Sequence, residues 1–311
     1  MHLSIIIVNW NVRELLDRCL NSLFSNLTSG EFEVIVVDNA SQDGSVEMIK
    51  QEFPQVKLIV NSENCGFAKA CNQGVKRGYA KYLLFLNPDS EVTNNLYEQI
   101  INFMESHPEV GVGGCHLYYP DGRTQTSFHR FTSLMSHLGR AMLLYTFLPK
   151  NRLTAPFFSD YISENESIES VCGGAMVVRQ KAFEEEGLFD ESFFLYCEDE
   201  DLCYRLKQKG WKIAPIPGTR IIHHHNQSSK KNVQKAIFYS YQSQLLLYSK
   251  FHCLHKVIIF RTIQFGGVLI RSLFWFFKLV TGEKQGSAKQ KFMGYLSILL
   301  SDFYYRKSFI N

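Results

Sequence analysis

Four consecutive acids, Glu198-Asp199-Glu200-Asp201, follow the apolar aromatic run Phe193-Phe194-Leu195-Tyr196-Cys197. Acids at a helix start complement its dipole without any further role. Aromatic neighbours add a second reading, because desolvation raises a carboxylate pKa toward that of a working general base. Asn87-Pro88-Asp89-Ser90 follows the apolar stretch Tyr82–Leu86. It makes a good β-turn, and its one carboxylate can hold a hard cation that in turn holds phosphate oxygens. His223-His224-His225 closes a later apolar run; imidazoles there are either structural or metal ligands. Asn64-Cys65-Gly66-Phe67-Ala68 offers a glycine for close backbone approach, and a helix start that favours anions such as a diphosphate. Asp38-Asn39-Ala40-Ser41 is a turn with a carboxylate able to accept from a ligand N–H. Val8-Asn9-Trp10-Asn11 sets polar groups beside an aromatic that can hold a planar base, although Asn11 also suits a helix cap, with Glu14 completing a capping box.

These groups need elements to position them. Leu3–Val8 and Val34–Val37 are β-branched apolar runs and predict buried strands. Val56–Val60, Tyr82–Leu86 and Val110–Cys115 predict three more. The spacing of Val12, Leu15, Leu16, Cys19, Leu20 and Leu23 predicts an amphipathic helix between the first two strands. Further helices are predicted over about Asp43–Phe53, Ala68–Gly78 and Leu96–Ser106. Strands alternating with helices imply right-handed βαβ units and a mostly parallel sheet covered on both faces. Ligands then bind beyond the carboxyl ends of the strands, which is where the polar segments fall. Residues 117–167 read as a hairpin plus an excursion. Strands return at Ser170–Val178 and Lys212–Ile222, with a helix at Asp199–Gly210 between them. Three helical stretches follow Ser228.

The chain has 311 residues, 45% hydrophobic and 20% charged, which excludes disorder over most of its length. Its net charge of +3 hides a split. Residues 226–311 contain 13 Lys and Arg against only Glu283 and Asp302, so the tail is basic and the rest acidic. A basic tail rich in Phe and Tyr points to a phosphate-rich partner. None of the eight cysteines forms a C-x-x-C pair, and their scatter suits thiols in a reducing compartment. The N-terminus lacks a basic leader and a cleavage site, which predicts that the chain is not exported. In Val257–Val280, Arg261, Arg271 and Lys278 interrupt the apolar sequence, and the longest uncharged run is Thr262–Ile270. A bilayer span needs about 20 such residues. Gln264, Arg271 and Lys278 form a narrow polar stripe, which predicts an in-plane interfacial helix. Phe292, Tyr295, Leu296, Leu299, Leu300 and Phe303 make a second, similar face.

Taken in order, these segments resemble the family 2 glycosyltransferases of the GT-A fold, and among them the bacterial rhamnosyltransferase-like branch. The motifs are Ile7–Asn11, Val37–Gly44, Asn64–Gly74, Leu86–Asp89, Gly173–Met176, Phe189–Phe194 and Glu198–Leu202. His223 lies five residues before Ser228, as in the family's late motif. The match covers about residues 3–230.

The resemblance implies a Rossmann-like, mostly parallel sheet flanked by helices over residues 1–227, with the nucleotide-sugar half at about 1–116 and the acceptor half at about 117–227. Residues 228–311 form a basic aromatic tail. It implies a nucleotide-diphosphate-sugar donor and inverting transfer to a saccharide or polyprenyl-linked acceptor in surface polysaccharide synthesis. Asp38 would contact the base, near Val8, Asn9 and Asn11; Asn64, Gly66, Phe67, Asn72 and Asn87 complete the expected donor contacts. Asp89 and His223 would hold Mg²⁺ or Mn²⁺, and Asp199 would be the general base, with Glu198 beside it. Where the family usually has an acid-x-acid metal motif, this chain has Asn87-Pro88-Asp89. The expected location is the inner face of the cell membrane, with residues 257–311 on anionic lipid. The competing readings are a transferase using another donor such as a UDP-hexosamine, a non-catalytic nucleotide-sugar-binding scaffold, and, from the basic tail alone, a nucleic-acid binder.

Overall fold

The computed structural model describes residues 1–27, 30–162, 167–224, 232–282 and 285–304. The chain divides into two compact units. The first comprises residues 1–131, 164–194 and 198–228, and the second residues 132–163, 195–197 and 229–311.

The first unit is built on a seven-stranded sheet. Its strands are β1 (Leu3–Asn9), β2 (Phe32–Asp38), β3 (Lys57–Val60), β4 (Tyr82–Leu86), β6 (Val110–Gly114), β10 (Ala175–Arg179) and β11 (Lys212–Pro215). Their order is β11-β6-β10-β4-β1-β2-β3. All pairings are parallel except those of β10, which runs antiparallel to both β4 and β6. β1 lies between β2 and β4, and every one of its residues is buried.

Strand alternation divides the core in two. Leu3, Ile5 and Ile7 point to one face, where Leu16, Cys19, Leu20 and Leu23 of α1 (Arg13–Asn26) cover them together with α2 (Ser45–Glu52) and α4 (Leu96–Ser106). Ile6 and Val8 point to the other, against Ala68, Ala70, Cys71 and Val75 of α3 (Phe67–Arg77). α6 (Gln180–Glu186) and α7 (Glu198–Gln208) complete that face through Ala182, Phe183, Leu202 and Leu206. Each fully buried Leu or Ile contributes about 1.5–3 kcal/mol, so both faces of β1 are strongly fixed.

Three small departures from the sequence reading lie at the sheet's rim. Ser170–Val178 is two strands, β9 (Ser170–Val171) and β10, separated by Cys172-Gly173-Gly174. Lys212–Ile222 is also two, because Pro217-Gly218 turns the chain, with Gly218 at φ +74°. The second of them, β12 (Ile221–His223), joins β5 (Ser90–Val92) and β7 (Leu117–Tyr118) in a three-stranded sheet. β8 (Phe128–His129) pairs with β9. The capping box expected from Asn11 and Glu14 is not formed. Val12 is the N-cap of α1, and Asn11, at φ +54°, instead accepts from the Gln42 N–H at 2.7 Å.

The second unit is helical. α5 (Leu134–Ala141) belongs to the excursion within residues 117–167, and α8 (Val233–Phe251), α9 (Leu254–Val280) and α10 (Gln285–Tyr304) form the tail. By length and composition α9 alone among the described helices is apolar enough to cross a membrane. Its polar stripe is turned inward, however: Gln264 and Arg271 are buried. Arg271 caps the end of α5 by donating to the carbonyls of Arg140 and Ala141. The outward face is apolar and includes Phe265, Leu269, Leu273, Phe276 and Phe277. Of the second expected face, Phe292 and Tyr295 of α10 meet Phe276 and Tyr241, while Leu300 is exposed. The side chain of Phe303 lies outside the described residues.

Candidate active site

The polar segments meet at one rim of the seven-stranded sheet. β1, β2 and β4 reach it with their carboxyl ends. β10 runs the other way, so its first residues reach the same rim.

At the β1–β2 end, Asn9 and Asp38 are both fully buried. Asn9 Nδ2 donates to Asp38 Oδ2 at 2.7 Å and to Ser41 Oγ at 3.1 Å. Asp38 Oδ1 accepts from the Ser41 N–H at 2.8 Å. Ser41 Oγ also takes the Asn11 N–H at 2.9 Å. Each Asp38 oxygen thus keeps an acceptor position, and Asn9 Oδ1 is buried without a hydrogen-bond partner. Ala40, like Asn11, has a positive φ, of +62°. Such backbone costs about 1–3 kcal/mol and persists where the surroundings over-determine it. Val8 points into the core beside α3 rather than to the rim.

The α3 start is organised differently from the sequence expectation. Gly66 has φ +88°, and a Cβ there would stand 2.7 Å from the Phe194 carbonyl oxygen. The glycine therefore makes room for the Phe194 backbone of the same chain. Its N–H donates to Asn64 Oδ1 at 3.0 Å, and the Phe67 N–H to the Phe194 carbonyl at 2.7 Å. Both amides expected to meet a diphosphate are engaged within the chain. Asn72 is likewise a clamp: Nδ2 donates to Phe189 O and Glu191 Oε1, and Oδ1 accepts from the Phe189 N–H. It fastens α3 to the Phe189–Glu191 loop.

At the end of β4, Asp89 Oδ1 lies 3.2 Å from His223 Nε2, and Asn87 Nδ2 lies 3.2 Å from the same nitrogen. Both Asp89 and His223 are buried. Gln125 fixes the imidazole. Its Nε2 donates to the His223 carbonyl at 2.6 Å, so its Oε1 is the atom 2.9 Å from His223 Nδ1. A carbonyl oxygen only accepts, so Nδ1 donates to Gln125, while the Asn87 amide and the Asp89 carboxylate both stand at Nε2. A carboxylate and an imidazole side by side are donor types that a divalent cation takes. No three metal-ligating side chains converge among the described residues. Glu91 Oε1 meets His224 Nε2 at 2.7 Å on the adjoining strand. His225 and Ser228 lie outside the described residues.

Asp199, in the first turn of α7, accepts from the Gly173 N–H at 2.7 Å on Oδ2 and from the Glu200 N–H at 2.8 Å on Oδ1. Burial raises its pKa, opposed by those amides and by the nearby His129. Glu198 is 5% exposed, and its Oε2 has no hydrogen-bond partner. Burial lifts its pKa well above the carboxylate range, and the Asp199 charge adds to the rise. The two residues preceding Glu198, Tyr196 and Cys197, have φ of +71° and +66°.

One dipeptide joins the two acidic groups. Gly173 donates to Asp199, and the next carbonyl, of Gly174, accepts the Asn87 N–H at 3.0 Å. A Cβ on Gly174 would stand 3.5 Å from both Asn87 Nδ2 and His223 Cε1. The Cys172 thiol beside them is pushed up to about 12, first by burial, then by the charges of Asp199, Glu198 and Asp89. Asp89 and Asp199 therefore share one rim. Gln125 and the paired glycines were not singled out as site residues. Gln125 sits in the irregular stretch after β7 and carries no motif. Gly173-Gly174 did carry a signal, a double glycine breaking an apolar run.

Residues 4–187 match the family model described as glycosyl transferase family 2, and the chain belongs to that family. Its curated relatives include the N-acetylglucosaminyl-diphospho-decaprenol L-rhamnosyltransferase of Mycobacterium tuberculosis, 28% identical over 74% of this chain and 78% of that one. The rhamnosyltransferase WbbL of Escherichia coli is 26% identical over 75% of this chain and 87% of its own length. Among solved structures, the mannosyltransferase PcManGT from Pyrobaculum calidifontis, in complex with GDP-Man and Mn²⁺, superposes with a TM-score of 0.56. It is 12% identical and covers 99% of this chain and 88% of its own, a likeness of fold. The chain is thus a glycosyltransferase of the rhamnosyltransferase-like kind.

Proposed function

We propose that this protein is an inverting transferase that moves a sugar, rhamnose foremost, from a nucleotide-diphosphate donor to a saccharide or lipid-linked saccharide in cell-envelope polysaccharide synthesis. The observation that carries the reading is the Gly173-Gly174 corner, which ties Asp199 on one side to the Asn87–Asp89–His223 group on the other. A donor laid along that rim has its leaving group at the second group and its anomeric carbon toward the first. The relatives named for rhamnose transfer support the sugar, and the decaprenol-linked substrate in one of their names supports a lipid-linked acceptor.

In this reading Asp199 takes the proton of the acceptor hydroxyl as the new C–O bond forms and the C–O bond to the diphosphate breaks. The Gly173 and Glu200 amides hold its carboxylate in one orientation, and burial makes it a stronger base than a free aspartate. Glu198, whose proton burial helps to retain, stands next to Asp199 with its Oε2 unpaired. Asn9, Asp38 and Ser41 frame the place of the base, Asp38 offering acceptor positions to its N–H. A divalent cation, Mg²⁺ or Mn²⁺, seated on Asp89 and His223 would neutralise charge on the departing diphosphate. The Mn²⁺ named with PcManGT supports this choice. Gln125 holds the orientation of the His223 ring.

The second unit supplies the location. α9 exposes Leu273 (61%) and Phe277 (67%) on its outer face, and the tail around it is strongly basic. Apolar insertion plus attraction to anionic headgroups describes a peripheral helix on the cytoplasmic membrane surface.

The decisive experiment screens purified full-length protein against nucleotide sugars by donor consumption, with and without Mn²⁺. The reading expects metal-dependent consumption of one donor class, dTDP-rhamnose before UDP-hexosamines. Binding of a nucleotide sugar without turnover in the presence of lipid-linked acceptors would favour the scaffold reading instead.

A further inference from the structure

The helical unit contains a second polar centre that the transfer chemistry does not use. A pocket of about 190 Å³ opens among α5, α8, α9 and α10, lined by His137, Arg140, Tyr241, Gln244, Arg271 and Tyr295 among others. Its charge is one-sided: it is lined by two guanidinium groups and no carboxylate. Arg271 is only 9% exposed, and its N–H groups reach the carbonyls of Ala141 (3.0 Å), Gly267 (3.1 Å) and Arg140. Arg140 reaches Ser159 Oγ at 3.5 Å. Among the described residues neither arginine has an acidic partner. A buried cation without a counter-charge is costly.

His137 is the second, independent sign. It is 4% exposed, and neither ring nitrogen has a hydrogen-bond partner. Its ring stacks on Phe260 with centroids 3.8 Å apart, and Phe260 stacks on Tyr248 at 4.2 Å. The stack fixes the imidazole while its polar atoms stay unpaired, at a cost of about 1–3 kcal/mol for each buried group. Burial, then Arg140 and Arg271, push its pKa down to about 3, so the ring is neutral, with one N–H donor and one lone pair.

We infer that this pocket binds a phosphate group. A phosphate accepts from guanidinium forks and from the imidazole N–H, and a P–OH can donate to the remaining nitrogen. The volume lies below that of sites for drug-sized ligands, at about 300–1,000 Å³, and suits a group of few heavy atoms. The phosphate can come from a lipid headgroup, whose chains would lie on the exposed face of α9, or from a free phosphate compound. The inference is separate from the sugar-transfer reading and does not depend on it.

The test follows the His137 imidazole of the full-length protein by ¹H–¹⁵N NMR, with His137→Phe identifying the signal while keeping the ring stack. Inorganic phosphate and dihexanoyl phosphatidic acid are titrated separately at matched ionic strength. A saturable shift of the His137 signal with either is expected. At least tenfold tighter binding of the phosphatidic acid assigns the pocket to a lipid headgroup, and equal binding to a free phosphate compound. Arg140→Gln is expected to weaken the binding at least tenfold while nucleotide-sugar affinity, measured in parallel, stays within twofold. No His137 shift with either probe overturns the inference, and so does unchanged affinity in Arg140→Gln.

Discussion

The two units bury opposite charges, and they do so by different means. At the sheet rim Asp89 and Glu198 are buried acids, and the half-buried Asp199 is held by two backbone amides, one from the Gly173 loop and one from the first turn of α7. In the helical unit Arg271 and His137 are buried nitrogen groups, held by helix packing and carbonyl ends. Loops at strand ends can point several N–H groups at one carboxylate, because their backbone is not committed to a ladder. Packed helices have their amides spent, so carbonyls at a helix terminus such as that of α5 are what they can offer a side chain. An acidic centre therefore belongs at the rim and a basic one among helices. The glycines and turn residues of the first are visible in sequence, whereas the second depends on which helices meet.

Asp199→Asn carries the largest expected effect. It removes the base and keeps the shape, so transfer falls by about 10²–10⁴-fold while donor affinity, measured by calorimetry, stays within twofold. Near-normal turnover would move the base elsewhere, to Glu198 first. Gln125→Leu is the next test. It frees the His223 ring, and the loss of such an outer partner typically lowers metal affinity about 10–100-fold, here read as a shift in the Mn²⁺ dependence of donor binding. Equal Mn²⁺ affinity would detach His223 from the cation seat. In the helical unit, Leu273→Asp with Phe277→Asp is expected to lower co-sedimentation with anionic vesicles at least about fivefold, with donor consumption in solution unchanged. Undiminished co-sedimentation would leave α9's outer face without its membrane role.

The smallest expected effect concerns stability. The folded pKa of Glu198 stands above its ordinary value of 4.5. The native state then holds its proton longer than the unfolded chain does, so stability falls as pH rises from that ordinary value through the raised one. Glu198→Gln removes the penalty. It is expected to stabilise the protein by about 1 kcal/mol at neutral pH and by nothing in acid, as read from thermal unfolding at the two pH values. A gain of equal size at both would show that charge is not the cause.

Much of the fold was legible in the sequence. β4 and α4 were read to the residue, because a dense apolar run and a strongly periodic helix leave few alternatives. Ser170–Val178 and Lys212–Ile222 were read as single strands because both halves of each are apolar; only the intervening Gly173-Gly174 and Pro217-Gly218 mark where the chain turns. The placement of the acids was legible. Asp89 and His223 stand at strand ends as read, and Asp199, in the first turn of α7, meets the same rim through Gly173. What Asn72 and Gly66 do within the chain was not legible, because a side-chain clamp and a ligand contact use the same residue types. Asn72 spends itself on Phe189 and Glu191, and Gly66 makes room for Phe194. Gln125 left no trace, since a lone polar residue in an irregular stretch looks like any other. The inward turn of the α9 stripe was missed because periodicity shows that a polar face exists but not which way it points.

The central claim is that one bound donor spans the paired glycines. The most direct measurement is a crystal structure of the Asp199→Asn protein with Mn²⁺ and its nucleotide sugar, the metal located by anomalous scattering. The account predicts manganese between Asp89 and His223, with the anomeric carbon on the side of residue 199. A donor whose diphosphate lies away from Asp89, or whose sugar points away from residue 199, would contradict it.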